Sequence, residues 1–351
     1  MSSLTTGEQQ LSFGYYLRCG CVSTPRSHAS PYIHHFAQIT VNKPDAGDFG
    51  PADISAAPGR CILCGGRGLQ EEESFSKFLD LPGNSEARVH RCSGCRMLFL
   101  DPYPDAEQLE QLYSESYFKV DNAAGLKSDG KGVDYDDVVR LRMTKFQATV
   151  DLLQRFVPAP ARLLDVGAAT GEFLDVSRSA GYAVAGIELS DFAAQKARAR
   201  YGLDVFVGAL DAYPENARFD VIHLSHVLEH LVDPHRSIEK LSRLLSDRGV
   251  IYIEVPFQWN WVEQMHFLKG DRQRFSAFSV HHRSFFRPDT LQSFFSQHGF
   301  ERKHSSLTPL HRYPVPNLSA RAKRTLWRGL STVGQGLLIE AVFARSHANS
   351  R

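Results

Sequence analysis

Two glycines and an aspartate stand in a short turn after an apolar run in the stretch LLDVGAATGEFL, residues 163–174. The spacing Asp165-x-Gly167-x-Ala169-x-Gly171 differs from the G-x-G-x-x-G pattern of dinucleotide-binding turns, and a carboxylate ends the apolar run before the first glycine. A pyrophosphate would be repelled by that carboxylate. The turn therefore favours a ligand that carries an ammonium group.

A second carboxylate, Glu188, stands at the end of the next apolar run, in the sequence AGIELS. In nucleotide sites of α/β sheets, an acidic residue at this place accepts hydrogen bonds from the ribose hydroxyls. Together the two carboxylates predict a ligand that is an adenosine carrying an amino acid, rather than a diphosphate. The alternative is a Rossmann-like domain that binds another nucleotide, or none.

Four cysteines form two C-x-x-C pairs, Cys61 with Cys64 and Cys92 with Cys95. This spacing predicts a tetrahedral zinc site with four thiolate ligands, in which each pair forms one knuckle. The pairs are farther apart than in an ordinary zinc ribbon, so we expect an extended hairpin between them. The remaining cysteines, Cys19 and Cys21, are predicted to be free thiols.

The stretch HLSHVLEHL, residues 223–231, carries His226, Glu229 and His230. This H-x-x-E-H pattern occurs in one class of zinc protease, where both histidines face the metal from one side of a helix. Here it follows the apolar run FDVI directly, so it begins at the end of a predicted strand, which argues against that class. His226 is a candidate general base, because an unperturbed imidazole is mostly neutral near pH 7. Glu229 could orient it, while His223 is predicted to be a core histidine.

Apolar strands and amphipathic helices alternate from residue 161 onward and position these groups. The strands are predicted in ARLLDVG, AVAGIEL, DVFVG, FDVIHLS and GVIYIEVP, and FERKHSSL and LLIEAVFAR should add two strands at the sheet edge. Such alternation predicts a doubly wound α/β domain with a mostly parallel sheet. Its ligands bind outside the carboxyl ends of the strands, where the quoted turn and the H-x-x-E-H stretch both lie.

Composition restricts the class of protein. The chain has 351 residues and a formal net charge of +1, which predicts roughly two domains and argues against a nucleic-acid partner. A short basic cluster near the end, residues 321–328, is predicted to be a solvated face. No apolar window is long enough for a membrane span, and the N-terminus lacks the blocks of a secretory signal. A cytoplasmic location is therefore expected.

Residues 139–256, with the motifs above, resemble a class I S-adenosylmethionine-dependent methyltransferase. The resemblance implies that Asp165, Gly167, Ala169 and Gly171 line the methionine end of the cofactor and that Glu188 holds its ribose. It further implies cofactor contacts at Ala209, Leu210 and Ser225, the first two beside the adenine.

The sequence departs from this family at two of those positions. The family often has glycine where Ala169 stands, and alanine fits there if its φ angle is negative. The family also often has an acidic residue where Ala209 stands, and Asp211 is the candidate replacement. The first departure affects the backbone conformation of the glycine turn, and the second removes the acidic partner that the adenine amino group usually has.

The stretch RCSGCRMLFLDPYPDAEQLEQLYSESYF is similar to a zinc-ribbon leader that precedes methyltransferase domains linked to polysaccharide or deoxysugar biosynthesis. With it the resemblance covers residues 61–300. It implies that Tyr113 or Tyr117 closes over the cofactor, and aromatic packing at a domain junction is the alternative. A ribbon alone could bind nucleic acid, but its fusion to a cofactor-binding domain favours a role in shaping the substrate pocket.

Downstream, SVHHRSFFRPDTLQSFFSQHGFE resembles the family segment in which a histidine precedes an aromatic pair and a short helix. His282 aligns with that histidine and is the second candidate base, whereas His281 is predicted to be structural or exposed. His226 is favoured over His282, with Glu229, His230 and Tyr117 as further catalytic candidates. Because some related O-methyltransferases hold a divalent metal with a Glu and a His from this turn, a Mg²⁺ site is a further expectation.

The sequence thus predicts four segments: a flexible extension over 1–58, a zinc ribbon over 59–103, a connector over 104–134 and a methyltransferase domain over 135–351. The expected reaction is C- or O-methylation of a small molecule, a sugar or nucleotide-sugar, and the tryptophan-containing insertion 257–275 suits sugar rings or a packed lid. One alternative is O-methylation of a quinone- or phenol-like metabolite. The other is a non-catalytic zinc-ribbon binding module with a degenerate cofactor site. Oligomeric state is left open.

Overall fold

A computed structural model describes residues 59–72, 88–103, 127–128, 131–132, 135–258, 260–270, 282–308, 334 and 336–346. Within these ranges, no helix combines the length and the apolar character that a membrane crossing needs. Several predictions lie outside the described residues: the extension 1–58, the helix 104–118 with Tyr113 and Tyr117, His281, Trp259 and the basic cluster near the end.

Helices occur where apolar residues recur at helical spacing. The segment before the glycine turn forms the predicted helix, and the helices α1 to α6 span Tyr135–Gln154, Glu172–Ser179, Asp191–Tyr201, Pro234–Leu244, Trp261–Leu268 and Pro288–Gln297. Two short 3₁₀ helices span Leu210–Ala212 and Leu228–His230. Local chemistry sets the start of α4, where the Asp233 side chain accepts the Arg236 N–H at 3.0 Å and proline occupies the first helical turn.

Strands form at each predicted apolar run. β1 to β5 span Leu69–Glu71, Arg88–Cys92, Leu98–Asp101, Lys127–Ser128 and Lys131–Gly132. β6 to β10 span Arg162–Val166, Ala183–Glu188, Val205–Val207, Phe219–Ser225 and Leu245–Pro256. β11, β12 and β13 span Ser284–Phe285, Phe300–Thr308 and Leu338–Arg345.

The central sheet has the strand order β12-β13-β10-β9-β6-β7-β8. Strands β6 to β10 pair in parallel, and β13 and β12 add two antiparallel strands beyond β10, so the predicted mostly parallel sheet with two added strands is confirmed. The order reverses between β6 and β9. In open α/β sheets a crevice for ligands opens at such a reversal, beyond the carboxyl ends of the strands.

Apolar side chains cover both faces of this sheet. On one face, Val150 and Leu153 of α1 pack with Phe173 and Leu174 of α2. On the other face, the core includes side chains of α4 and α6, among them Ile238 and Phe294. All of these side chains are buried, which explains why the strands read as almost continuous apolar runs.

The strands of the predicted ribbon, β1 to β3, are joined to the α/β domain by a sheet that includes β11 and by a shared core. β1, β2, β3 and β11 form one antiparallel sheet, although β11 comes from the chain beyond β10. The Leu100 N–H also donates to the Arg283 carbonyl at 2.9 Å. Cys61, Met97 and Phe99 belong to the same buried cluster as Ile222 of β9. The ribbon is therefore packed as part of the domain core.

Candidate functional site

The turn between β6 and α2 depends on two glycines. Gly167 and Gly171 have φ angles of 81° and 88°, in the left-handed region that favours glycine. A Cβ at Gly167 would lie 2.5 Å from a Val227 methyl, and one at Gly171 would lie 2.6 Å from a Leu203 methyl. Both the conformation and the space at these positions therefore require glycine.

Ala169 also has a positive φ angle, 47°, so the condition under which alanine would fit this turn at little cost is not met. Left-handed backbone costs a residue with a Cβ about 1–2 kcal/mol. In this conformation the Ala169 N–H donates to Glu188 Oε2 at 2.8 Å, a contact that offsets part of this cost. The glycine that the family often has at this position would relieve that strain.

Glu188 ends β7 with its carboxylate under the turn. Its Oε2 accepts the Ala169 N–H and its Oε1 accepts the Ser190 N–H, both at 2.8 Å. Burial raises the pKa of Glu188, and these backbone hydrogen bonds act in the opposite direction. A carboxylate has about four acceptor positions, so the two N–H groups leave capacity for two hydroxyls. The donor set expected for a ribose is therefore compatible with this side chain.

Asp165 and His223 lie side by side on β6 and β9, below the turn. His223 Nδ1 is 2.7 Å from Asp165 Oδ1, and its ring stacks on Phe173 and Tyr252 at centroid distances of 3.8 and 4.9 Å. His223 is buried, which confirms the prediction of a core histidine with a partner. The Asp165 carboxylate thus connects β6 to β9 through His223. Its contact with the cofactor stays a prediction.

The predicted adenine contacts lie at the end of β8. Ala209 is exposed, whereas Leu210 is buried in the 3₁₀ helix that follows. Asp211, the candidate replacement for the missing acidic residue, pairs with Arg236 at 3.1 Å. The Asp211 carboxylate therefore forms an ion pair with the Arg236 guanidinium.

His226 follows β9 with a positive φ angle of 57°. Its Nδ1 is 3.4 Å from Glu229 Oε1 and its Nε2 is 3.3 Å from Glu254 Oε1, while 39% of its side chain is exposed. Burial lowers the pKa of His226, but the two carboxylates outweigh that effect and raise it above the usual value. Both ring nitrogens of His226 therefore face a carboxylate.

Glu254 connects His226 to the interior of the sheet. It pairs with the buried Lys145, and the Ser225 hydroxyl donates to its Oε1 at 2.9 Å. Burial would raise the pKa of Glu254, but the cations Lys145 and His226 hold it well below its ordinary range. The sequence reasoning did not identify Glu254 or Lys145. A charged residue inside the apolar run IYIEVP was the available signal for Glu254.

Glu229, His230 and His282 form a second cluster. One ligand atom from each lies within 4.8 Å of the others, and the His230 and His282 rings meet at a centroid distance of 4.6 Å. The H-x-x-E-H pattern thus does not set His226 and His230 on one helix face, because Leu228–His230 is a 3₁₀ turn. Instead, the fold brings His282 from beyond β10 to this turn, and the Arg283 N–H donates to the Glu229 carbonyl at 2.8 Å.

The four cysteines meet as the sequence predicts. Cys61 and Cys95 sulfurs are 3.5 Å apart, Cys64 and Cys92 sulfurs are 3.6 Å apart, and all four lie within 4.8 Å of one another. Zinc–sulfur bonds of about 2.3 Å in a tetrahedron place sulfurs about 3.8 Å apart. The Leu63 N–H also points to Cys61 Sγ at 3.5 Å, as in a zinc knuckle. The cluster therefore fits a zinc ion.

Comparison with known proteins agrees with this fold. Residues 139–305 match the family model described as a methyltransferase domain. No curated protein matches the chain. This match and the strand order make the central part of the chain an S-adenosylmethionine-dependent methyltransferase domain of class I.

Several solved structures are similar at low identity. The magnesium protoporphyrin IX methyltransferase ChlM from Synechocystis PCC 6803, with bound SAH, is 14% identical with a TM-score of 0.49, over 69% of this chain and 100% of that one. The plantazolicin methyltransferase BpumL, in complex with SAH, is 15% identical with a TM-score of 0.43, over 60% and 88%. DesVI from Streptomyces venezuelae is 21% identical with a TM-score of 0.31, over 34% of this chain and only 57% of its own.

Proposed function

We propose that this chain transfers a methyl group from S-adenosylmethionine to a carbon or oxygen of a sugar or nucleotide-sugar. The observation that supports this acceptor class is the cluster of polar side chains beyond the carboxyl ends of β9 and β10, where Glu229, His230 and His282 converge. An acceptor with several hydroxyls can hydrogen-bond to these imidazoles and this carboxylate. A phenol or quinone offers mainly a flat apolar face and gains less from such a cluster.

The proposed cofactor site consists of the glycine turn for the methionine end and Glu188 for the ribose. Glu188 supports this role because two of its acceptor positions remain after the backbone hydrogen bonds are counted. The four-cysteine cluster is proposed to hold structural zinc. A cytoplasmic location and a reaction without a nucleic-acid partner stay predictions.

The acceptor's proton is proposed to leave at the cluster of Glu229, His230 and His282 rather than at His226. Both ring nitrogens of His226 lie within 3.4 Å of a carboxylate oxygen, so neither is directed at an incoming acceptor. Methyl transfer is an in-line displacement in which the acceptor's bond to the methyl carbon forms as the sulfur–carbon bond breaks. The acceptor's proton must leave to a nearby base, and a positioned base contributes about 10²–10⁴-fold.

Substitution of His282 and of His226 distinguishes a role in removing the acceptor's proton from a role in stabilising the fold. His282→Gln is expected to lower turnover by at least about a hundredfold at saturating cofactor, with cofactor affinity kept. His226→Gln is expected to keep most of the turnover but to lower the unfolding temperature, because Glu229 and Glu254 lose the imidazole between them. The opposite pattern of turnover would identify His226 as the base.

An acceptor screen tests the substrate class. The full chain is incubated with S-adenosylmethionine labelled in the methyl group and with matched panels of nucleotide-sugars, free sugars and catechols. Label is expected in a sugar or nucleotide-sugar product. Transfer to catechols alone would replace the proposed class with the phenolic alternative, and failure to bind the cofactor by calorimetry would support the non-catalytic binding module.

A further inference from the structure

We propose that Glu229, His230 and His282 bind a divalent first-row transition metal ion, separate from the metal of the four-cysteine cluster. The three residues supply one carboxylate and two imidazoles whose ligand atoms lie within 4.8 Å of one another. Two ligands bonded to one ion at about 2.1 Å can lie up to about 4.2 Å apart. Small side-chain rotations therefore bring all three atoms to a single ion.

The buried carboxylate is the first support. The Glu229 side chain is only 1% exposed, and among the described residues neither of its oxygens accepts a hydrogen bond. Imidazole nitrogens of His226 and His230 lie 3.4 and 3.8 Å from Oε1. A buried carboxylate without hydrogen bonds is costly, and coordination of a cation is one of the few arrangements that offset this cost.

The orientation of His282 is the second support. Its Nδ1 lies 2.5 Å from the Gln258 amide nitrogen, while the buried Gln258 Oε1 has no hydrogen-bond partner among the described residues. A half-turn of this amide directs Oε1 to an Nδ1–H group and satisfies both atoms. In that tautomer the Nε2 atom carries the lone pair, and metal-binding histidines usually donate their second N–H in this way.

The ligand types determine the class of metal. Mg²⁺ prefers six oxygen ligands, so the expected Mg²⁺ does not suit a set with two imidazoles. Two imidazoles and one carboxylate suit manganese, iron, cobalt or zinc, and leave coordination positions for water or an oxygen of a ligand. An acceptor hydroxyl bound there would lose its proton more readily. This use of the ion rests on the proposed function, whereas the binding of the ion does not.

Co²⁺ provides the test, because its visible absorption spectrum depends on the types of its ligands. The full chain is dialysed against EDTA under conditions that leave zinc in the four-cysteine cluster, then titrated with Co²⁺ without cofactor or acceptor. One equivalent of Co²⁺ is expected to bind with weak visible bands and without thiolate charge-transfer bands. Glu229→Gln and His282→Gln are expected to weaken binding by at least about a hundredfold, and Gln258→Ala by about 10–100-fold.

His226→Gln is the matched control, since His226 also contacts Glu229 but is not in the proposed ligand set. This variant should bind Co²⁺ as the parent does. Zinc content and circular dichroism verify that each variant is folded. Absence of a cobalt equivalent, binding that the ligand substitutions leave unchanged, or thiolate bands in the spectrum would each overturn the proposal. Because no methyl transfer is measured, failure of the proposed reaction would not affect this result.

Discussion

Loss of zinc from the four-cysteine cluster is expected to unfold the core of the domain, not the ribbon alone. Freshly purified protein should contain about one zinc per chain in this cluster, because four thiolates bind zinc tightly. Cys61 and Cys92 belong to the same buried cluster as side chains of the central sheet, and β11, from the chain after β10, pairs with β3. Structural zinc contributes about 10–16 kcal/mol to folding in small zinc peptides, against about 5–15 kcal/mol for the stability of a whole domain.

Cys92→Ser therefore is expected to lose zinc and to lower the unfolding temperature strongly, as measured by metal analysis and thermal denaturation. In the fraction that remains folded, the loss in free energy of cofactor binding should be smaller than the loss in free energy of unfolding. Cys19→Ser and Cys21→Ser are the matched controls, because these cysteines do not belong to either C-x-x-C pair. Purified protein without zinc, or an unchanged unfolding temperature after zinc is lost from the cluster, would contradict the prediction.

Glu188→Ala is expected to weaken S-adenosylmethionine binding by about 10²–10⁴-fold. The carboxylate would lose two hydrogen bonds to ribose hydroxyls, each worth about 1.5–3 kcal/mol when one partner is charged, and about 1.4 kcal/mol corresponds to a tenfold change. It would also lose the backbone contacts that shape the turn, from Ala169 and Ser190. Isothermal calorimetry measures the change in affinity directly.

Two further variants define the origin of that loss. Glu188→Gln keeps one acceptor oxygen but directs an NH₂ group at a backbone N–H, so its affinity should lie between those of the parent and of Glu188→Ala. Glu301→Ala removes an exposed carboxylate on β12 that pairs with Lys303, and should leave affinity unchanged. Unchanged affinity in Glu188→Ala would mean that the ribose is held elsewhere.

The sequence by itself determined the features that depend on residues close to one another along the chain. The alternation of apolar strands and helices predicted the sheet and its two added strands, because burial on both faces requires apolar runs of this length. The glycine turn was predicted at Gly167 and Gly171, where the backbone needs left-handed conformations. The spacing within each C-x-x-C pair likewise predicted a cluster that the structure brings together.

Tertiary structure decided the features that depend on contacts between distant segments. Ala169 has a left-handed angle and donates its N–H to Glu188 of the next strand, a contact that a local rule for alanine does not include. The partners of His226 come from β10 and from the 3₁₀ turn, so its surroundings were not evident from its own motif. His282 lies beside Glu229 where the segment that leads into β11 meets the 3₁₀ turn and the Arg283 N–H donates to the Glu229 carbonyl. Side-chain chemistry at this site is therefore set by strand order, since strand order determines which charges meet at the carboxyl ends of the sheet.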